Sequence, residues 1–384
     1  MTVERAFHVE NYVGTYEFIS YEGTRFIASK ERVNDPKQPL LKKQIFNNEQ
    51  SGTRIIIELA NVDTTNDASI LSFCNKYGLP CSSQEILVQN PGYFVYGKEI
   101  DEHTFAEIIP FYQKDTMAYE EFCRYVLLAK NLLNIKECLD ASPKISSDLI
   151  PPFLYVLLMS RKHLYDYDKN DSRPLYASMR FQYLFQRMCA EYDLGESLDT
   201  QIPPFLFRLK NLRKTNLSAA TVRDFDSETW RRLIAILEQI FIKDKTQVRD
   251  MDGNGTLEFG SRIIFTGDIN ELFSLARLVL CEFVNEGCAQ VTPRLAVDSN
   301  GEIYGDWFVP YQFNGLYLEL FLMLASNGVM RRCADVSCRR FFKLEGERAD
   351  KIYCSRSCAL RVAKRKERQR KKELAQNPSQ TSKS

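Results

Sequence analysis

Histidine is almost missing from this chain: there are three in 384 residues, and only two tryptophans. So few imidazoles leave little material for histidine-based acid–base or metal chemistry. His103 and Glu107, four apart in "DEHTFAE", have the spacing of a helical ligand pair, but no third ligand lies near them and they read as solvent-exposed. Also absent are the zincin HExxH, the nucleophile-elbow GxSxG, the Walker A loop and the dinucleotide GxGxxG. These gaps remove the affirmative case for an enzyme without excluding one. No apolar run approaches the eighteen or so residues that cross a bilayer. The nearest, "LYLELFLMLA", is interrupted by Glu319. The first residues, "MTVERAFHVENYVGTYEF", lack the uninterrupted apolar core of a signal peptide, so a soluble, cytoplasmic protein with no membrane partner is expected.

The remaining composition is that of an ordinary globular protein, 44% hydrophobic and 26% charged, long enough for two or three domains. Eleven cysteines are present, an odd number. Seven of them (Cys74, Cys81, Cys123, Cys138, Cys189, Cys281 and Cys288) are scattered through apolar stretches and read as core thiols in a reducing compartment.

The net charge of +1 conceals an asymmetry. Residues 331–372, "RRCADVSCRRFFKLEGERADKIYCSRSCALRVAKRKERQRKK", hold 16 Lys or Arg against 5 Asp or Glu, whereas residues 1–330 carry a net −10. An acidic body with a basic end suggests a terminus that binds a polyanion.

The same stretch holds the other four cysteines. Cys333 and Cys338 are separated by four residues, Cys354 and Cys358 by three, and fifteen residues lie between the pairs. Two close pairs joined by a loop of that length are what a tetrahedral Zn²⁺ requires, each pair supplying two sulfurs from a tight turn. Four thiolates leave no open position for water, which makes the expected zinc structural. Ser355 is placed to cap a helix containing Cys358, whose dipole favours thiolate. Arg331, Arg332, Arg339, Arg340 and Arg356 are candidates to offset the net −2 of a Zn²⁺–thiolate centre, and Phe341 and Phe342 to pack over it.

Beyond Cys358, "ALRVAKRKERQRKKEL" has no Pro or Gly and consists mainly of strong helix formers. Helical geometry places Arg361, Lys364, Arg365, Arg368 and Lys372 within an arc of about 100°. With Arg356 at the helix start, this stripe is the candidate nucleic-acid contact. Only Leu360, Val362 and Ala363 near the metal offer anything to bury before Leu374, so the outer half is expected to project. The residues suit phosphate contacts and show no base readout.

These residues resemble the CGNR zinc finger family, whose pattern is roughly R-C-x-x-x-x-C-x-x-x-F, an Arg-rich loop, then W-C-S-x-x-x-C-G-N-R-x-K. Agreement covers Arg332, Cys333, Cys338, Phe342, Arg348, Cys354, Ser355, Cys358, Arg361 and Lys364. Tyr353 stands for the family's Trp, and Ala359 and Leu360 for its Gly and Asn. The resemblance implies an amino-terminal ABATE-type sensor region and a stress-induced, DNA-binding transcription regulator, with DNA preferred over RNA on this ground alone. "IIIELANVDTTNDASILSFCNKYGL" looks like that region's strand and helix, and "VTPRLAVDSNGEIYGDWFVPYQFNGLYLELFLMLAS" like the segment before the finger. The resemblance does not extend to residues 83–265, so the chain would be a divergent, enlarged member.

Along the body, "RIIIEL" reads as a buried strand and "NDASILSFCNKYG" as a helix capped by Asn66 or Asp67 and ended at Gly78. "EILVQNPGYFVYGKEI" reads as two strands around a turn. Helices dominate from about 104 to 242, among them "PLYASMRFQYLFQRMCAEYDLG" and "SETWRRLIAILEQIF". The latter has Trp230, Leu233, Ile234, Leu237, Ile240 and Phe241 on one face. "TQVRDMDGNGTLEFGSRIIF" and "VTPRLAVDSNGEIYGDWFVP" read as hairpins, the second turning at Asn300 and Gly301, with a helix between them and another after them. Asp250, Asp252, Asn254, Gly255 and Leu257 imitate an EF-hand loop, but its twelfth position is Ser261 rather than Glu, so a turn is the better reading. "NPGYFVYG" and "GDWFVPY" are aromatic segments suited to core or to lining a small-molecule pocket.

The expected fold is therefore α+β. It has a predominantly helical body with small β-hairpins, then a four-cysteine zinc finger and a basic helix. The segments are 1–110 (ABATE-like α/β), 111–245 (helical), 246–328 (hairpin–helix–hairpin–helix), 329–362 (finger) and 363–384 (basic helix and tail). The expected function is a zinc-dependent nucleic-acid-binding transcription regulator whose body senses a ligand or forms a homodimer. Two rivals are an enzyme that uses the finger only for docking and a module whose basic end docks an acidic protein.

Overall fold

The computed structural model describes residues 8–32 except 22, 40–46 except 41, 54–80, 114–140, 146–158 and 232–244 except 234 and 238. It continues through 248–250, 257–259, 263–288, 291–297, 301–309 except 302, 312–325, 330–344 and 351–376. The expected hairpin over 85–100, His103 and Glu107, the helix over 174–195, Cys81 and Cys189 lie outside these residues. The chain divides into two compact units, Met1–Ser326 and Asn327–Ser384.

In the first unit, β1 (His8–Tyr12) pairs antiparallel with β4 (Lys42–Phe46). Strand β2 (Tyr16–Tyr21), β3 (Thr24–Ser29) and β5 (Thr116–Ala118) form a three-stranded antiparallel sheet in the order β2-β3-β5. Phe26, Ile27 and Ala28 of β3 are all buried, and the strand packs against α3 (Tyr119–Asp140), whose stripe of Phe122, Val126, Ala129, Leu132 and Leu133 is buried. Helix α4 (Ser146–Leu158) packs on α3, and α5 (Ile269–Gly287) and α6 (Gln312–Ala325) pack on each other. Small antiparallel hairpins complete the unit: β6 (Val248–Asp250) with β7 (Leu257–Phe259), and β8 (Thr292–Val297) with β9 (Ile303–Phe308). Asp250 and Leu257 are cross-strand partners, the geometry of a hairpin rather than of a calcium loop. Gly301 takes φ +83°, a conformation that glycine enters freely, while Asn300 lies outside the described residues and the Val297↔Ile303 pairing centres the turn on position 300 rather than between 300 and 301.

Within 232–240, Leu233, Leu237 and Ile240 are buried as the helical spacing predicts, followed by a wider π-type turn, Gln239–Lys243. Arg232 grips Glu271 of α5 through Nε at 2.5 Å and Nη2 at 3.1 Å. Trp307 of "GDWFVPY" packs on a cluster of Val9, Val309 and Leu318, which makes it core. Among the described residues no helix is long and apolar enough to cross a membrane.

One prediction fails instructively. "IIIELA" is not a strand but helix α1 (Ile55–Ala60), entered from an extended Arg54 at φ −101°, ψ 135°. Three β-branched residues favour a strand, but here all three are buried and the segment packs against α2 (Asp67–Tyr77), α3 and α6. The amides that a helix start leaves unpaired are met by Glu319 of α6, which accepts from Ile55 N at 3.0 Å and Ile56 N at 2.8 Å. The charge interrupting the apolar run is thus a cap delivered across the fold. Helix α2 follows its sequence signals. Asn66 Oδ1 accepts from Ala68 N at 3.0 Å, and the helix ends at Gly78.

Glu319 is fully buried, and burial pushes its carboxyl up to about 7 against the opposing pull of the Ile56 and Ile55 amides and of Arg54. The folded chain therefore holds this proton to a higher pH than the unfolded chain does. The associated stability is complete below about pH 4.5 and is lost as pH climbs through 7, a change of about 3 kcal/mol. Thermal melts from pH 5 to pH 8 should show Tm falling in the native protein and a flatter profile in Glu319→Gln. Parallel profiles would refute the assignment.

Among the scattered cysteines, Cys74 is buried, while Cys123, Cys138 and Cys288 are partly so. Burial pushes the Cys74 thiol well up and the Cys288 thiol up to about 12, consistent with inert core groups. Cys281 corrects the prediction. It is exposed, four residues from exposed Arg277 on the outer face of α5.

Candidate metal centre

The second unit begins with a short antiparallel ladder, β10 (Met330–Arg332) with β11 (Phe341–Lys343), in the register Arg331↔Phe342. Between the strands the chain makes a tight knuckle. Asp335 O accepts from Cys338 N at 2.8 Å and Arg339 N at 3.0 Å, and Cys333 N donates to Arg340 O at 2.8 Å. Arg339 sits at φ +52°, the left-handed conformation that lets the chain reverse. This turn aims Cys333 and Cys338 at one point. The second pair is stitched alongside by Ala334 N donating to Ile352 O at 2.9 Å. Cys358 lies in the first turn of α7 (Arg356–Gln376), where Ser355 caps as predicted: its Oγ accepts from Cys358 N at 3.3 Å.

All four sulfurs lie within 4.8 Å of one another. Cys354 Sγ is 3.6 Å from both Cys338 Sγ and Cys358 Sγ. Sulfurs bound at about 2.3 Å to one tetrahedral ion stand about 3.8 Å apart, whereas a disulfide needs about 2.05 Å. The spacing fits four ligands of a single metal ion. The electrostatics fit too. Burial and the neighbouring thiols push Cys354 up to about 12, burial raises Cys338, and Cys358 alone is lowered, chiefly by its hydrogen bond with Ser355. Four crowded thiols resist ionising together unless a cation is supplied.

Phe342, Leu344 and Tyr353 pack around the sulfurs. Phe342 behaves as predicted, with Lys351 Nζ 5.4 Å from its ring centre; buried Phe341 instead lies under the Arg332 guanidinium at 4.8 Å. Arg361, outside the five arginines expected to offset the charge, also reaches the centre, its Nη2 lying 3.7 Å from Cys358 Sγ.

The basic stripe is present but divided. Lys364, Arg368 and Lys372 are exposed, as are Lys366, Arg370 and Lys371, and every residue from Lys366 to Glu373 is exposed. Arg356 is exposed at the helix start. Arg361 and Arg365 instead turn back onto the knuckle. Arg365 pairs with Asp335 Oδ1, Arg361 Nε lies 3.4 Å from Asp335 Oδ2, and both guanidinium groups donate to Ser337 Oγ at 3.1 Å. Leu360, expected to bury near the metal, is 52% exposed. Cys358 takes the inward position of that turn.

Asp335 is the residue that the sequence reading missed. It is fully buried, and its carboxylate accepts from Ser337 N at 3.1 Å and Ser337 Oγ at 2.9 Å. Burial opposes its ionisation, but these bonds and the Arg365 guanidinium outweigh it and hold the carboxyl below the usual range. The available signal was an Asp-x-Ser turn carrying the one acidic side chain between Arg331 and Leu344.

No family model matches the chain, and neither a curated protein nor a solved structure matches it.

Proposed function

We propose that this protein is a zinc-dependent nucleic-acid-binding protein, a DNA-binding transcription regulator of the CGNR type. The observation that carries this reading is a four-thiolate cluster bearing, on the same helix as its last ligand, an exposed run of cations. An all-sulfur set with no open position favours Zn²⁺ in a structural role. When bound, zinc supplies the cross-link that a core this small lacks. The chain's own residues do the rest. Cys354 and Cys358 hold the start of α7, and Lys364, Arg368 and Lys372 are spaced along it to neutralise successive phosphates.

DNA is preferred to RNA through the resemblance of residues 327–368 to the CGNR finger. The same resemblance supports an amino-terminal region that senses a ligand or dimerises, and the free cysteines among the described residues support an address in the reducing cytoplasm.

Duplex binding is expected to weaken steeply with salt, because each neutralised phosphate releases counterions. Replacing Lys364, Arg368 and Lys372 together with Gln should make the log–log salt slope shallower by about 2.7, from about 0.9 per contact. The check is a titration by fluorescence anisotropy from 50 to 300 mM salt, roughly the range in which such contacts are lost. No binding to DNA or RNA by the native protein at about 50 mM salt would sink the proposal, and metal analysis showing iron instead of zinc would overturn its metal.

A further inference from the structure

The pairing of Arg361 and Arg365 with Asp335 has a consequence for the basic stripe. Cys358 fixes one point of α7 in the first helical turn, and a helix held at one point can still swing and rotate. Arg365 lies seven residues further on, about 10 Å along the axis at 1.5 Å per residue. Arg361 and Arg365 are four apart, hence side by side on one face. They address different oxygens of the same carboxylate and share Ser337 Oγ. The carboxylate is itself held rigidly, because Ser337 N and Oγ bond to it and the Asp335 carbonyl closes the Cys333–Cys338 turn. A buried carboxylate with these partners strongly favours keeping both guanidinium groups in place.

We infer that Asp335 is a positioning residue for nucleic-acid binding. Acting through Arg361 and Arg365, it locks the direction and rotation of α7, so that Lys364, Arg368 and Lys372 meet the phosphates pre-oriented. The two clamp arginines belong to the lock and are not phosphate ligands. This inference rests on the proposed function and adds to it a division of labour within the stripe.

Asp335→Asn keeps an oxygen for the Ser337 turn and removes the charge. Simple electrostatics says that deleting an anion beside a phosphate-binding helix strengthens binding. The lock says the opposite: with metal content unchanged, affinity for a duplex at fixed salt should fall about tenfold, the cost of ordering the freed helix and side chains. Unchanged or tighter binding overturns the lock.

Should Asp335→Asn lose its metal, the pair Arg361→Gln with Arg365→Gln, which keeps the four cysteines and the bonds of Ser337 to Asp335, decides the matter. The lock expects weaker binding with an unaltered salt slope. A slope shallower by about two would make these arginines phosphate ligands and overturn the inference.

If the native protein binds no nucleic acid, the function fails but the lock is still read by amide exchange over 360–366. Exchange should be slow in the native protein and about tenfold faster in the double variant. Equal rates overturn the lock.

Discussion

Replacing Cys354 with Ser is expected to abolish stoichiometric metal binding, unfold residues 327–384 and leave the melting of residues 1–326 unchanged. The reason is the size of the core on each side. The amino-terminal unit buries large side chains such as Phe122, Phe153, Phe283, Ile56 and Leu132 completely. In the second unit the cluster consists of Cys333, Phe342 and Cys358, with four partly buried neighbours, two of which are cysteines. The packed part of this unit, residues 333–358, falls below the about 40 residues under which a fold usually needs a disulfide, a metal or a partner. Structural zinc sites contribute about 10–16 kcal/mol, and a serine hydroxyl does not replace a thiolate in that set. Cys354 is also the sulfur 3.6 Å from two others, so its loss opens the centre of the cluster. Metal analysis should fall from one equivalent to near zero. Far-UV circular dichroism should lose much of the signal of the 21-residue α7, since an isolated helix of that length is marginal in water. Calorimetry should retain the transition of the body. A variant that keeps one equivalent of metal would remove Cys354 from the ligand set.

What was legible in the sequence was what is decided locally. The two cysteine pairs, the Ser355 cap and the Asn66–Gly78 helix each depend on residues within a turn or two, and each appears in place. The hairpins of β6–β7 and β8–β9 follow from turn residues between short strands. What misled was decided at a distance. "IIIELA" has strand-forming residues, yet Glu319, 263 positions beyond Ile56, supplies the oxygens that make a helix start tolerable there. Arg361 and Arg365 look identical in pattern to Lys364 and Arg368. Only the position of Asp335, 30 residues before Arg365, separates clamp from stripe. Leu360 likewise has a hydrophobic side chain but the wrong azimuth, because Cys358 fixes which side of that turn faces inward. Periodicity identifies a face; only tertiary contact says what the face meets.

Gly78→Ala is expected to destabilise the amino-terminal unit by about 3–5 kcal/mol, combining backbone strain with overpacking. At the end of α2, Gly78 adopts φ +78°, ψ −170°, a region that L side chains scarcely enter. Its backbone also lies so close to β1 that an added Cβ would stand 2.2 Å from Tyr12 O and 2.5 Å from Asn11 Nδ2. Neither obstacle can yield cheaply. Tyr12 O is main chain within the β1–β4 ladder, and it accepts from the Tyr16 hydroxyl at 3.0 Å. Asn11 is buried, and its Nδ2 donates to Tyr77 O at 2.8 Å and Leu79 O at 3.0 Å, with the Gln312 side-chain amide against it. That one amide joins β1, the end of α2 and the start of α6, so displacing it would leave buried carbonyls unpaired as well. Urea denaturation should show the midpoint falling with an unchanged m-value, and residues 327–384 should retain their metal. A loss below about 1 kcal/mol would mean that the chain can reroute around Gly78, contrary to the close approach to Tyr12.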